Sequence, residues 1–186
     1  MVLHADGKDY RAPLTVTMDP REHVATADLA AGLAFSRRIG DTLQRVWSNY
    51  GEVQALRKQL GALHAKLAND DAHKPLLAAV DALDAKAKSL VSGSGEYASN
   101  LHAMSDALTA IATDVEGADR APTEGQQQAL AEYDANLGKA LALWQSIRVT
   151  DLPQLDRQLQ AAHLPAVALT SAKPTQPDGD DDADMP

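Results

Sequence analysis

The 186 residues suffice for one core, or one core with a small appendage, and not for two large domains, because domains cluster near ~100–150 residues. Seven aromatics and an apolar fraction carried mainly by Ala and Leu describe interhelical seams rather than a β core, which predicts a mainly α chain. The formal charge of −9 argues against a nucleic-acid partner, and the lack of cysteine excludes disulfides, zinc–thiolate sites and thiol chemistry.

Residues 2–18 read as strands. Asp6-Gly7 is a two-residue hairpin signal, and Leu14, Val16 and Met18 alternate with Thr15 and Thr17, so the second strand has one apolar side. An isolated hairpin is marginal in water, so this one is expected to lie on the helices or on further sheet partners.

Beyond Asp19-Pro20, apolar residues at 29, 33, 39, 43, 46, 50, 53, 56, 60, 63 and 67 keep helical spacing and predict one rod over 27–68. Four glycines (Gly32, Gly40, Gly51 and Gly61) weaken it, and a break near Ser48 to Gly51 is the competing expectation. Arg37, Arg38, Arg45, Arg57, Lys58 and Lys66 lie here, interspersed with acids and without an aromatic platform, so they read as a solvated face.

A second rod is expected over 73–116, with Asp71 as N-cap, Pro75 in the first turn, and a stripe at Leu76, Val80, Leu83, Ala87 and Leu90. SGSG at 92–95 interrupts it before the stripe resumes through Tyr97, Leu101, Met104, Leu108, Ile111 and Val115. The third rod, 122–164, opens on a capping box of Thr123 and Gln126 and carries Leu130, Tyr133, Leu137, Ala140, Trp144 and Ile147. Pro153 predicts a kink or a fresh start capped by Thr150 or Asp151, with the stripe continuing at Leu155 and Leu159.

Three segments of nearly equal length joined by short turns predict an elongated bundle of three antiparallel helices. If SGSG is a true reversal, a four- or five-helix bundle results. The domain division is a hairpin at 1–21, a helical bundle at 22–169 and a disordered acidic tail at 170–186, whose last seventeen residues hold five Asp against one Lys. No apolar run reaches the ~18 residues of a membrane span, and the N-terminus lacks the basic and apolar regions of a signal peptide.

Each chemistry-bearing motif has a plainer structural reading. Asp70-x-x-His73 is a single Glu-x-x-His-like pair in a turn, where a carboxylate-bridged metal bundle needs several, and reads as capping. His64, His102 and His163 are isolated from one another. Asp178, Asp180 and Asp182 begin like a calcium loop, but Ala183 stands where the loop needs Gly and no bidentate Glu follows. Asp81 with Asp84, and Asp106 with Asp114, read as helix-surface carboxylates, and Asp84 with Lys88 as an i,i+4 ion pair. Trp47 shares a helix face with Gly40 and Gly51, where small residues would admit a ring or a neighbouring backbone; Trp47 and Trp144 read as core anchors. No residue is assigned a catalytic, cofactor-binding or metal-binding role.

Several stretches together resemble a known family: DGKDYRAPLTVTMDPR at 6–21, Asp28-Leu29, LRKQL at 56–60, Ala121-Pro122-Thr123, Trp144, and Asp151-Leu152-Pro153 with Leu155 and Leu159. They are similar to the C-terminal end of bacterial BNR-repeat glycosyl-hydrolase-like proteins, in which a sialidase- or sortilin-type β-propeller precedes an immunoglobulin-like sandwich and then helices. The similarity covers most of residues 5–165; the family pattern has an amide side chain where this chain has Asp156. The resemblance implies that residues 2–19 end the sandwich and that the propeller, with any catalytic residues, lies upstream in an exported parent. With that parent, the long seams and the empty site inventory lead to the expectation of a non-catalytic helical module for interdomain packing or oligomerisation. The alternatives are part of an active glycosidase that needs the propeller, or a free-standing protein-binding adaptor.

Overall fold

A computed structural model describes residues 1–21, 23–92 and 100–169, with residues 174 and 177. Three expectations fall largely outside these residues: the interruption beyond Ser92, the stripe position Tyr97, and the acidic tail with its calcium-loop-like aspartates.

The chain opens with a two-stranded antiparallel hairpin, β1 (Val2–Ala5) and β2 (Lys8–Arg11). Its register pairs Leu3 with Tyr10 and His4 with Asp9. Asp6 (φ 50°) and Gly7 (φ 71°) form the turn, and two successive positive-φ residues match the twist of the strands. The second strand therefore ends at Arg11. Residues 14–18, expected to continue it, belong to no strand, and Leu14, Val16 and Met18 are exposed. The last rung joins Ala12 and Met1, which exchange both backbone hydrogen bonds, so β1 is fully paired before residue 13.

Helix α1 (Thr26–Leu67) runs unbroken through Ser48 to Gly51, as the single rod predicted over 27–68, and the competing break is absent. At ~1.5 Å per residue it is about 63 Å long. Its buried face, from Ile39 through Val46, Val53 and Leu60 to Leu67, follows the expected stripe. The stripe misses at one end, where Phe35 is buried and Leu33 is 53% exposed, because the i,i+4 row leading back from Leu43 and Ile39 arrives at Phe35. Gly32 sits where a later loop crosses α1, and a Cβ there would lie 3.0 Å from the Arg120 carbonyl oxygen.

Asp70, rather than Asp71, caps the next segment. Its Oδ1 accepts from the Ala72 amide at the start of a 3₁₀ turn (Asp71–His73) that leads into α2 (Lys74–Val91), with Pro75 in the first turn. Helix α3 (Leu101–Glu116) is capped by Asn100, whose Oδ1 accepts from the Ala103 amide. Helix α4 (Glu124–Ser146) opens on the Thr123–Gln126 capping box.

Pro153 is accommodated without a fresh start. Residues Ile147–Asp151 form a π-helical turn, and the Leu152 amide bonds back five residues to the Ile147 carbonyl before α5 (Leu152–Ala161) continues the rod. Neither Thr150 nor Asp151 caps α5 through its side chain. Widening the turn spares the Pro153 ring from the carbonyl four residues back and absorbs its missing N–H.

Cross-rod contacts fix the directions. His64 pairs with Asp81, Arg57 with Asp84, Tyr50 with His102, and Trp47 with Ser105, so α2 and then α3 descend α1 in opposite sense. Arg38 meets Asp134 and Glu52 meets Trp144, so α4 runs parallel to α1. The interruption after Val91 is thus a break within one rod rather than a reversal, and the molecule is a helical bundle of three rods. A single apolar core runs along it from Phe35 to Leu159.

Helix α5 ends in a Schellman turn. His163 takes the left-handed position (φ 57°), its amide bonds to Gln160, and the Leu164 amide bonds to Leu159. The chain then crosses back over α1. The Gln59 amide bonds both backbone groups of Ala168, at 2.7 and 3.0 Å, and Asp156 Oδ1 accepts from Val167 N–H at 2.9 Å. Buried Val167 closes that end of the core.

Candidate functional site

The polar groups that enter the core are the natural places to look for chemistry, because an unpaired buried polar group costs roughly 1–3 kcal/mol. Among the described residues four polar or charged side chains are buried: Thr42, Arg57, Asn100 and Ser105. Thr42 Oγ1 donates to Asp134 Oδ1 at 2.9 Å, while Arg38 donates to the other oxygen at 3.2 Å. Arg57 Nε donates to Asp84 at 3.1 Å. Ser105 Oγ accepts the Trp47 indole at 2.9 Å, and Asn100 caps α3. Each ties one rod to another or ends a helix.

A further polar group lies beside the π turn. Glu52 Oε2 accepts from Trp144 Nε1 at 3.2 Å and lies 3.7 Å from Arg148, and Lys86 pairs with Asp151 next to it. A carboxylate bound to an indole and a guanidinium is held in one orientation. With one carboxylate committed to each cation, this is a tie among three rods rather than an acid–base pair poised across a substrate.

The carboxylates and histidines marked in the sequence are similarly engaged. Asp81 pairs with His64 at 2.6 Å and Asp106 lies 3.9 Å from His102. Asp84 turns to Arg57 across the interface instead of to Lys88 on its own helix, because the buried guanidinium needs a counter-charge. Asp114 accepts from Gln126, joining α3 to α4. His163 ends α5 and belongs to no polar cluster. Asp70 accepts from both His73 Nδ1, at 2.7 Å, and the Ala72 amide, and these two bonds hold its carboxyl below the usual carboxylate range. Asp19 is lowered in the same way by Arg21. No group of three or more metal-ligating side chains converges among the described residues.

Trp144 is buried and Trp47 packs half-buried against the core, so both indoles act as anchors with a hydrogen-bonding edge. Gly40 does not receive a ring or a backbone: nothing lies within 4 Å of where its Cβ would be. The residues that sequence reasoning passed over are Glu52, Asp134 and Ser105. Each adjoins an apolar stripe position (Val53, Tyr133, Met104), which is the signal that could have marked them as flanking a seam. Asp156 has a role too, since an acceptor is all that the Val167 amide requires.

Comparison with protein-family models, with curated proteins and with solved structures finds no match. Among the described residues no helix is long and apolar enough to cross a membrane.

Proposed function

We propose that the chain is a non-catalytic helical module of a glycosyl-hydrolase-like β-propeller protein, acting in interdomain packing or oligomerisation. The observation that carries this reading is the distribution of surface types. The rods direct their marked polar groups into ties with one another, whereas apolar side chains gather outside the bundle on the first eighteen residues. Such a surface is suited to being covered rather than to turning over a substrate. The BNR-repeat resemblance supplies the kind of parent.

The test begins with the DNA upstream of Met1, where an in-frame propeller is expected. The encoded propeller and the purified chain are then mixed and sized by light scattering, and the chain alone is assayed on a panel of glycosides. A one-to-one complex with no hydrolysis by the chain alone is the expected result. A chain that ignores the propeller, or that cleaves glycosides by itself, overturns the reading.

A further inference from the structure

We infer that residues 1–18 form a self-association surface and that a second copy of this chain covers it, by antiparallel pairing of residues 14–18 about a two-fold axis at Val16. This deepens the assembly role proposed above and rests on it only in assigning the chain to assembly.

Seven large apolar side chains are exposed in this stretch: Met1, Val2, Leu3, Tyr10, Leu14, Val16 and Met18. The hairpin is two-faced. Leu3 and Tyr10 sit opposite each other on one face, at 61% and 55% exposure, while Val2 shares the other face with the charged group His4, Asp9 and Arg11. Charged pairs suit the side that meets water, which leaves the Leu3–Tyr10 side as the one to be covered.

Two observations select the occupant. Residues 13–18 make no backbone hydrogen bond among the described residues, so burying them requires a partner that brings its own strand; a helix or a lipid surface cannot complete a ladder. The pattern Leu14-Thr15-Val16-Thr17-Met18 is also symmetric about its centre. Paired antiparallel with a copy of itself, it sets Val16 against Val16, Leu14 against Met18 and Thr15 against Thr17. Every apolar side chain then falls on one face, where a one-residue slip would scatter them. The Leu3–Tyr10 faces, tethered through Pro13, supply the cover for that face. Without Val2, the other six side chains offer on the order of 600 Å² per copy, so roughly 1,200 Å² for the pair, at the lower edge of the ~1,200–2,000 Å² that a stable interface buries. A two-fold interface closes on itself.

The chain has no cysteine, so a single introduced thiol reports the register. Light scattering of the whole chain over roughly 1–200 µM should show a concentration-dependent dimer. Val16→Asp should weaken it at least ~10-fold with an unchanged helical circular-dichroism spectrum. Under mild oxidation Val16→Cys should form a disulfide dimer, and Ala30→Cys, exposed on α1, should not. A monomer across the range, a dimer indifferent to Val16→Asp, or equal cross-linking at both cysteines overturns the inference. So does a monomer that instead binds phosphatidylcholine vesicles through Val16. A chain that dimerises but ignores the propeller leaves this inference standing and removes the parent; one that binds the propeller as a monomer does the reverse.

Discussion

The indole N–H of Trp144 donates to the Glu52 carboxylate at 3.2 Å across 92 residues of chain, joining the third rod to the middle of the first. Trp144 is buried and Glu52 is also the counter-charge of Arg148. Glu52→Ala strands both donors and is expected to lower stability by about 1–3 kcal/mol. Glu52→Gln keeps an acceptor for the indole and should lose less than half as much. Trp144→Ala, which also leaves a cavity, is expected to cost ~3–5 kcal/mol. Urea unfolding followed by circular dichroism gives all three; equal losses for the alanine and glutamine variants at Glu52 would refute the hydrogen-bonding account.

Two glycines of α1 should respond in opposite ways to the same change. Gly40 is exposed with open space where a Cβ would go, so Gly40→Ala should stabilise by about 0.5–1 kcal/mol through helix propensity. At Gly32 the added methyl meets the Arg120 carbonyl at 3.0 Å and the loop must yield. Gly32→Ala should therefore show no such gain. Thermal melts of the two variants side by side decide it.

Asp70 makes part of the stability pH-dependent. Its folded-state pKa lies below the ordinary 3.8, chiefly through the His73 hydrogen bond and then the Ala72 amide. The unfolded chain therefore binds the proton first. The contribution is fully present above 3.8 and is lost as pH falls through the lower folded value. Asp70→Asn preserves a capping oxygen but not the charge. Wild type should exceed this variant in urea midpoint near pH 6, and the gap should shrink as pH drops below about 4. A gap that is constant with pH would show that the carboxylate's charge contributes nothing.

His163 occupies a left-handed backbone position that costs a non-glycine residue roughly 1 kcal/mol. His163→Gly should raise stability by up to about that amount, read as a higher melting temperature. Helix α5 and the returning segment at 164–169 should show slower amide hydrogen exchange in the same variant. Loss of stability would mean that the imidazole makes a contact of its own.

The parts legible in the sequence were those governed by local spacing. The 3.6-residue recurrence from Ile39 to Leu67 located α1, the Thr123–Gln126 box located the start of α4, and Asp6-Gly7 located the hairpin turn, because each is written within a few residues of itself. Residues 14–18 show the limit. Alternation there satisfied the strand pattern, yet a strand also needs a neighbour, and β1 is already fully paired against residues 8–12. Leu33 and Phe35 show a second limit: two apolar residues close in sequence compete for one face at a helix end, and only the packed rods decide between them.

The sequence by itself determined that this chain is mainly helical, where its long apolar seams run, and that a turn of strands precedes them. These follow from hydrophobic periodicity and caps, which act over one or two helical turns. Only the tertiary structure decided that the break after Val91 leaves α2 and α3 in one rod, that Pro153 is absorbed by a π turn, and that Glu52, Arg57 and Asp134 are cross-rod ties. Those outcomes depend on partners 27 to 96 residues away, from Arg57–Asp84 to Arg38–Asp134, and on which side chains burial leaves in need of a hydrogen bond. No local pattern encodes that pairing, because it exists only once the rods lie side by side.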